Sequence, residues 1–419
     1  MRLPEIVHVD TDPGVPGSFY FTHLSVRADA KSFAEQLISI LPHTPGFQAV
    51  PYETRENVKK AGELKKSWLA EVEEKGRAHR IAVSLERVRV LLIGHLDTVF
   101  ESDSPFQHFV RLDDGRARGP GAADMKGGDV VMLLALRALR EAGVLDRIDA
   151  RVYLGGDEED SGAPLSASRE ALLAAAEGVD AALGFEDGDG VFEHAIVARR
   201  GVEDWRLRVQ GRPAHASLVL SPEVGGGAIY EAARILDAFR RELAPESADV
   251  TFNPGMIVGG TAIEHPEQAR GTAFGKTNVV AQTAVAVGDL RTLSPEQLDH
   301  TRSRMRDIVA RSLPHASAEL AFDPGYPPMA ATEGNRRLLA LFDEASRGLG
   351  HGPVTAVNPR QAGAADISFV AGRVKMALDG LGLKGRGAHT IEETAELARL
   401  APQAERVAVL LARLAEGRR

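Results

Sequence analysis

Short apolar runs alternate with helix-patterned segments through the first half of the chain, and each run breaks off at a histidine or an acid. Residues 88–93 read VRVLLI and pass into Gly94, His95, Leu96 and Asp97. Residues 126–142 (KGGDVVMLLALRALREA) repeat apolar side chains at helical spacing, and Gly143 follows as a stop. Residues 150–154 (ARVYL) have the length and composition of another strand and deliver GGDEEDSG at 155–162. After a helical stretch at 171–177, residues 181–185 (AALGF) form a further strand that ends in Glu186. Strands separated by helices need crossover connections, so the pattern predicts an α/β fold, a mixed central sheet flanked by helices. In such sheets binding sites gather beyond the strand ends, which is where this chain puts its histidines and acids.

The pattern changes near residue 198. Residues 202–217 (VEDWRLRVQGRPAHAS) alternate like an antiparallel strand with one wet face. Helices are expected at 224–242 and 295–312, and strands at 249–258 and 278–290. That order predicts a small α+β unit with its helices on one face. From about 316 the chain is expected to return to the first domain, through DISFVAG and VKMALDGLG, to C-terminal helices. The expected organisation is therefore a main domain from 1–197 and 316–419, with 198–315 inserted. Residues 30–80 also read as helical.

Bulk properties narrow the chemistry. Thirteen histidines and no cysteine mean that a metal site must use His, Asp and Glu, and they exclude disulfides and thiolate nucleophiles. A net charge of −9 argues against a nucleic-acid partner. No stretch has the roughly 18–20 apolar residues of a membrane span, and the N-terminus has no signal-like apolar run. The expectation is a cytoplasmic protein with no membrane partner.

Taken singly, the candidate ligands have plain explanations. A His-x-Asp pair such as His95 and Asp97 is common by chance. Asp124, in GPGAADMKGG before a helix, could be an N-cap. Glu158 and Glu159 could belong to a solvated acidic loop, and Glu186 to a turn. Together, with His389 in GRGAHTIEE, they form a set of two histidines and several carboxylates suited to zinc, manganese or cobalt. The set is too large for one four-coordinate ion, and a shared carboxylate would explain the surplus.

The ordered motifs GHLDTV, GPGAADMKGG, GGDEEDSG, GFEDG and GAHTIEE resemble those of the M20 metallopeptidases. That superfamily includes glutamate carboxypeptidase, aminoacylase, acetylornithine deacetylase and succinyl-diaminopimelate desuccinylase. The resemblance covers roughly residues 86–419; the first 85 match poorly. It implies a di-zinc exopeptidase-like fold with an inserted dimerisation or lid domain, and two Zn²⁺ ions, with Co²⁺ or Mn²⁺ as substitutes. His95, Asp124 and Glu186 would hold one ion. Asp124, Glu159 and His389 would hold the second. Asp97 would orient His95, and Glu158 would be the general base.

In the second domain, His215 in RPAHAS matches the family histidine that reaches a partner subunit's site and stabilises the oxyanion. Asn278 in GKTNVV matches an asparagine near the substrate. Arg291 in GDLRTL matches an arginine that grips a substrate carboxylate, although it could instead pair with Asp289 on the same strand face. The family often has a Gly-Gly-Thr-Asp-Ala loop in the last third. Here its counterpart is Gln361-Ala362-Gly363-Ala364-Ala365-Asp366, which keeps Gly363 and Asp366 and lacks the Thr. Arg199 and Arg200 could add positive charge or form a solvated turn. The resemblance implies a homodimeric hydrolase that cleaves a peptide or N-acyl bond beside a free carboxylate. The alternatives are an N-acyl-amino-acid amidohydrolase or deacetylase, and a catalytically silent relative that binds peptides.

Overall fold

The computed structural model describes residues 7–8, 87–244, 249–267 and 270–417. The helices expected within 30–80 lie outside the described residues. Along the chain come β1 (Val7–His8), β2 (Val88–His95), β3 (Val110–Arg111), β4 (Arg116–Arg118), α1 (Lys126–Glu141), β5 (Ile148–Gly155), α2 (Glu170–Ala175), β6 (Ala181–Gly184) and β7 (His194–Ala195). Next are β8 (Gly201–Gly211), α3 (Gly227–Leu243), β9 (Thr251–Gly260), β10 (Ala262–Glu267), β11 (Arg270–Phe274), β12 (Thr283–Thr292), α4 (Pro295–Val309) and β13 (Ala316–Asp323). The chain ends through α5 (Glu333–Gly348), β14 (Thr355–Ala356), β15 (Met376–Leu378), β16 (Gly385–Arg386), β17 (Thr394–Glu396) and α6 (Leu400–Ala415). These elements divide into two compact units. One is Met1–Ala195 with Arg337–Thr355 and Arg373–Arg419; the other is Ile196–Arg336 with Ala356–Gly372.

The first unit holds a five-stranded sheet of order β1-β5-β2-β6-β15, with parallel pairings throughout. Central strand β2 is buried at every position except Arg89, as expected of a parallel strand covered on both faces. Registers place His95 opposite Gly155 and Ile93 opposite Gly184. Strands β2, β5 and β6 therefore end level, and the residues that follow each emerge at one carboxyl edge. Helix α1 turns Val131, Met132, Ala135, Leu136 and Leu139 inward and packs against α6 and β2. Its start must come very close to β6: a Cβ on Gly128 would lie 1.9 Å from the carbonyl oxygen of Phe185. The glycine pair after Met125 thus lets the Asp124 loop sit against the strand end that carries Glu186.

A separate four-stranded sheet of order β16-β17-β4-β3 has antiparallel pairings. Pairing of β17 with β4 joins Thr394 to Arg118 and brings 389–393 alongside 119–124.

The second unit is an antiparallel sheet of order β13-β8-β12-β9 with α3 and α4 on one face. On β8 the alternation expected from sequence is complete: Trp205, Leu207 and Val209 are buried against Ile235, Phe239, Met305 and Ile308. The boundary expected at 316 differs from what the structure gives. Strand β13 pairs with β8 over its whole length, from Ala316↔Gly211 to Asp323↔Asp204, so it belongs to this sheet. Residues 356–372, with Gly363, also fall in the second unit. The β10–β11 hairpin is an element that the sequence reading did not anticipate.

Candidate metal centre

Two groups of side chains in the first unit could each hold a metal ion: His95, Asp124 and Glu186, and Asp124, Glu159 and His389. Asp124 belongs to both. Its Oδ1 lies 3.2 Å from His95 Nε2, and its Oδ2 lies 3.1 Å from His389 Nε2. Glu186 Oε1 is 3.7 Å from His95 Nε2, and Glu159 Oε2 is 3.2 Å from His389 Nε2. Each of these carboxylate oxygens thus faces an imidazole nitrogen at the spacing of two ligands around one cation, and the donor set of imidazole and carboxylate suits a borderline divalent ion.

The local folding is readable residue by residue. His95 is the last residue of β2 and is buried; Asp97 Oδ1 stands 3.2 Å from its Nδ1, leaving Nε2 turned toward Asp124 and Glu186. Asp97 Oδ2 accepts a hydrogen bond from the Glu159 amide at 2.8 Å, so the β2 end and the β5 end are tied together. His389 has φ +63, a left-handed conformation uncommon for a residue with a side chain, and is 57% exposed. The Asp124–Met125 peptide bond is cis.

Crowding of these groups without cations changes their proton affinities. Burial disfavours charge on His95, but Asp124, Asp97, Glu186 and Glu158 outweigh it and hold the ring's pKa well above its ordinary value. The hydrogen bond to Asp124 is the main cause that lifts His389 to about 9. Burial tends to raise Asp124, yet His389 and His95 hold it well below the usual carboxylate range. Burial, with Asp124 adding repulsion, raises both Glu159 and Glu186. In this state the cluster retains protons that a bound cation would displace.

Three supporting residues escaped the sequence reading. Glu393 is buried, and its carboxylate accepts from the amides of Gly121 (3.1 Å), Ala123 (2.8 Å) and Asp124 (3.1 Å), shaping the Asp124 loop. Its signal was the second acid of GAHTIEE. Lys384, also buried, donates to the carbonyls of Asp187 (2.8 Å) and Gly380 (2.6 Å) beside the Glu186 loop, and burial lowers its pKa to about 8. Arg169, fully buried, pairs at 3.1 Å with Asp157, itself 5% exposed, while Asp160 is exposed. No local signal marks Arg169.

The remaining sequence candidates lie in the second unit. The His215 segment bridges the Asn278 segment: Ala216 N–H donates to Asn278 O at 2.9 Å, and His215 pairs with Val279. His215 Nδ1 accepts from the Ser217 amide at 3.2 Å, which leaves the ring proton of the neutral form on Nε2. Arg291 Nε donates to Asp289 Oδ2 at 2.7 Å, the same-face pairing weighed above. Arg200 reaches the same face, because it donates to Thr251 Oγ1 and Thr251 is the register partner of Arg291. Gly363 is held by its carbonyl, which accepts from Arg199 Nη1 at 2.8 Å. Among the described residues no helix is long and apolar enough to cross a membrane.

Comparison with known proteins gives a consistent picture. A sequence model of peptidase family M20/M25/M40 matches residues 91–413. Carboxypeptidase G2 of Pseudomonas sp. (strain RS-16) is 26% identical over 306 residues, covering 72% of this chain and 68% of that protein. Among solved structures, aminopeptidase PepT from Bacillus cereus ATCC 10987 has a TM-score of 0.57 at 20% identity, over 79% of this chain and 82% of that one. Bacillus subtilis YXEP, a dinuclear metal binding peptidase from the M20 family, has a TM-score of 0.52 at 17% identity, over 92% and 99% of the two chains. At these identities the two solved structures establish likeness of fold.

Proposed function

We propose that this chain, which belongs to peptidase family M20/M25/M40 and is a metal-dependent hydrolase, is a two-metal enzyme that cleaves a peptide or N-acyl amide bond beside a free carboxylate. The observation that carries this reading is the Asp124 carboxylate, whose two oxygens face two different histidines. Two divalent ions held by His95, Asp124, Glu186, Glu159 and His389, with zinc as the first choice for such donors, would lower the pKa of a water and polarise the scissile carbonyl. Asp97 orients His95 for this task.

Glu158 is the base in this reading. It takes the proton of the attacking water and returns it to the leaving nitrogen. The neutral tautomer of His215, with its proton on Nε2, suits it to donate to a developing oxyanion. As in the resemblance set out above, His215 would serve the site of a partner subunit, which makes the active form a homodimer. The first unit would then be the catalytic domain and the second the dimerisation and substrate-contacting domain.

Arg291 suits a substrate carboxylate because its planar fork can donate to both carboxylate oxygens. Its surroundings bring further cations near: burial and the nearby charges of Arg291 and Arg360 lower the pKa of Arg200, opposed by Asp289 and Asp249. Asn278, beside His215, and Gly363 complete the proposed substrate contacts. The test is a substrate panel of dipeptides, acyl-amino acids and peptides ending in glutamate, run with zinc-loaded and chelator-stripped protein. Zinc-dependent hydrolysis of substrates with a free carboxylate, and not of their amidated forms, is expected. Equal rates on carboxylate and amide forms would refute the carboxylate requirement.

A further inference from the structure

Glu158 and Glu159 are adjacent and chemically identical, yet one is read as base and the other as ligand. The peptide unit that joins them is held at both ends. Its N–H, on Glu159, donates to Asp97 Oδ2 at 2.8 Å. Its carbonyl, on Glu158, accepts from Ser161 Oγ at 3.4 Å. Ser161 Oγ in turn accepts from Arg169 Nη2 at 2.8 Å, and the same nitrogen donates to the Asp157 carbonyl at 2.9 Å. Arg169 Nη1 faces Asp157 Oδ1 at 3.1 Å and donates to Ser168 Oγ, which donates to Asp157 Oδ2. One guanidinium therefore grips the chain on both sides of the glutamate pair.

The physical chemistry of this grip is demanding. Arg169 and Asp157 are both buried. A buried ion pair offsets its desolvation only when further hydrogen bonds satisfy the charged groups. Here the fork of the guanidinium meets a carbonyl, a carboxylate and two hydroxyls, a pattern that a lysine's point charge cannot reproduce. The pair lies in the bend that follows β5, and its two side chains hang from opposite ends of one peptide plane. Turning this peptide plane would bring Glu158 toward the ligand position and carry Glu159 away from it.

We propose that Arg169 is a positioning residue that decides which glutamate binds metal. Acting through Asp157 and Ser161, and opposed by Asp97 on the other side, it locks the Glu158–Glu159 peptide so that Glu159 faces His389 and Asp124 while Glu158 stays off the ligand set. The inference rests on the assignment of Glu159 as ligand and Glu158 as base made above.

The experiment measures zinc affinity by competition with a chromophoric chelator, together with kcat and KM, for wild type, Arg169→Met, Arg169→Lys and Ser161→Ala. Arg169→Met should weaken one of two zinc ions by about 10- to 100-fold, the usual effect of losing such an outer partner, and leave the other near its wild-type affinity. Arg169→Lys should recover part of that loss. Ser161→Ala, which removes a single link, should weaken the same ion less and lower kcat with KM unchanged. Folded Arg169→Met protein that binds two zinc ions with wild-type affinity overturns the proposal. Should Arg169→Met fail to fold, wild-type zinc affinity and kcat in Ser161→Ala overturn it instead. A wild-type protein that binds two zinc ions but hydrolyses nothing in the panel refutes the proposed reaction alone, because the zinc titration still judges Arg169.

Discussion

Replacing Asp129 by asparagine should make the metal-free chain increasingly more stable than wild type as the pH rises. Asp129 stands in the first turn of α1, 7% exposed, and among the described residues neither of its carboxyl oxygens has a hydrogen-bond partner. It lies against the end of β2, where a Cβ on Gly94 would come within 2.1 Å of its Oδ1 and close to Met125 and Leu154. Burial raises its pKa from 3.8 to about 8, opposed only in part by His95 and Lys126. The folded chain therefore keeps a proton there that the unfolded chain releases above its own pKa. Stability is unaffected by this group below the unfolded pKa, falls by about 1.4 kcal/mol per pH unit above it, and levels off once the folded pKa is passed. At pH 7 the accumulated loss is on the order of 4 kcal/mol, a large share of a typical domain's stability. The assay is urea unfolding of chelator-stripped wild type and Asp129→Asn from pH 5 to 8. Costs of the amide that do not depend on pH cancel when the difference between the two proteins is followed across that range. That difference should move by about 3 kcal/mol in favour of the variant between pH 5 and 7. Parallel curves for the two proteins would refute the reasoning.

Three further outcomes are expected. Glu158→Gln should retain two zinc ions and lose about 10²- to 10⁴-fold in kcat, the range for a general base; near-wild-type turnover would assign the base elsewhere. Zinc binding at pH 7 should release protons, because His95, His389, Glu159 and Glu186 all have raised pKa values in the metal-free cluster, so zinc affinity should climb with pH. Calorimetric titrations in buffers of different ionisation enthalpy read this directly, and a buffer-independent heat would count against it. Mixing His215→Ala with Glu158→Gln subunits should restore activity if the site is shared between partners; exchange of subunits without any recovery would place both residues in one chain's site.

Much of the candidate centre was legible because apolar runs of strand length end in chemically distinctive residues. His95 closes β2, Glu159 and Glu186 lie a short way beyond the ends of β5 and β6, and register alone brings those ends level. Asp124 was legible from the glycines around it, whose need is steric: Gly128 meets the Phe185 carbonyl. The supporting residues were not legible for a physical reason. Glu393 looks like a solvated loop acid until β17 pairs with β4 and turns it toward three backbone amides. Arg169 sits eight residues beyond Ser161 in a stretch without a motif, and its role exists only through the fold of the loop. The boundary of the second unit shifted because ASAELAFD alternates equally well beside either unit, and sequence does not choose its partner strand; pairing with β8 does.

The central claim is that Asp124 joins two ligand groups into one two-ion centre. Its most direct test is the zinc stoichiometry and activity of chelator-stripped wild type and Asp124→Asn during titration with Zn²⁺. The account predicts that wild-type activity rises to its maximum at two ions per chain, and that Asp124→Asn weakens both ions together. Full activity without metal, a maximum at one ion, or loss of only one ion in Asp124→Asn would contradict it.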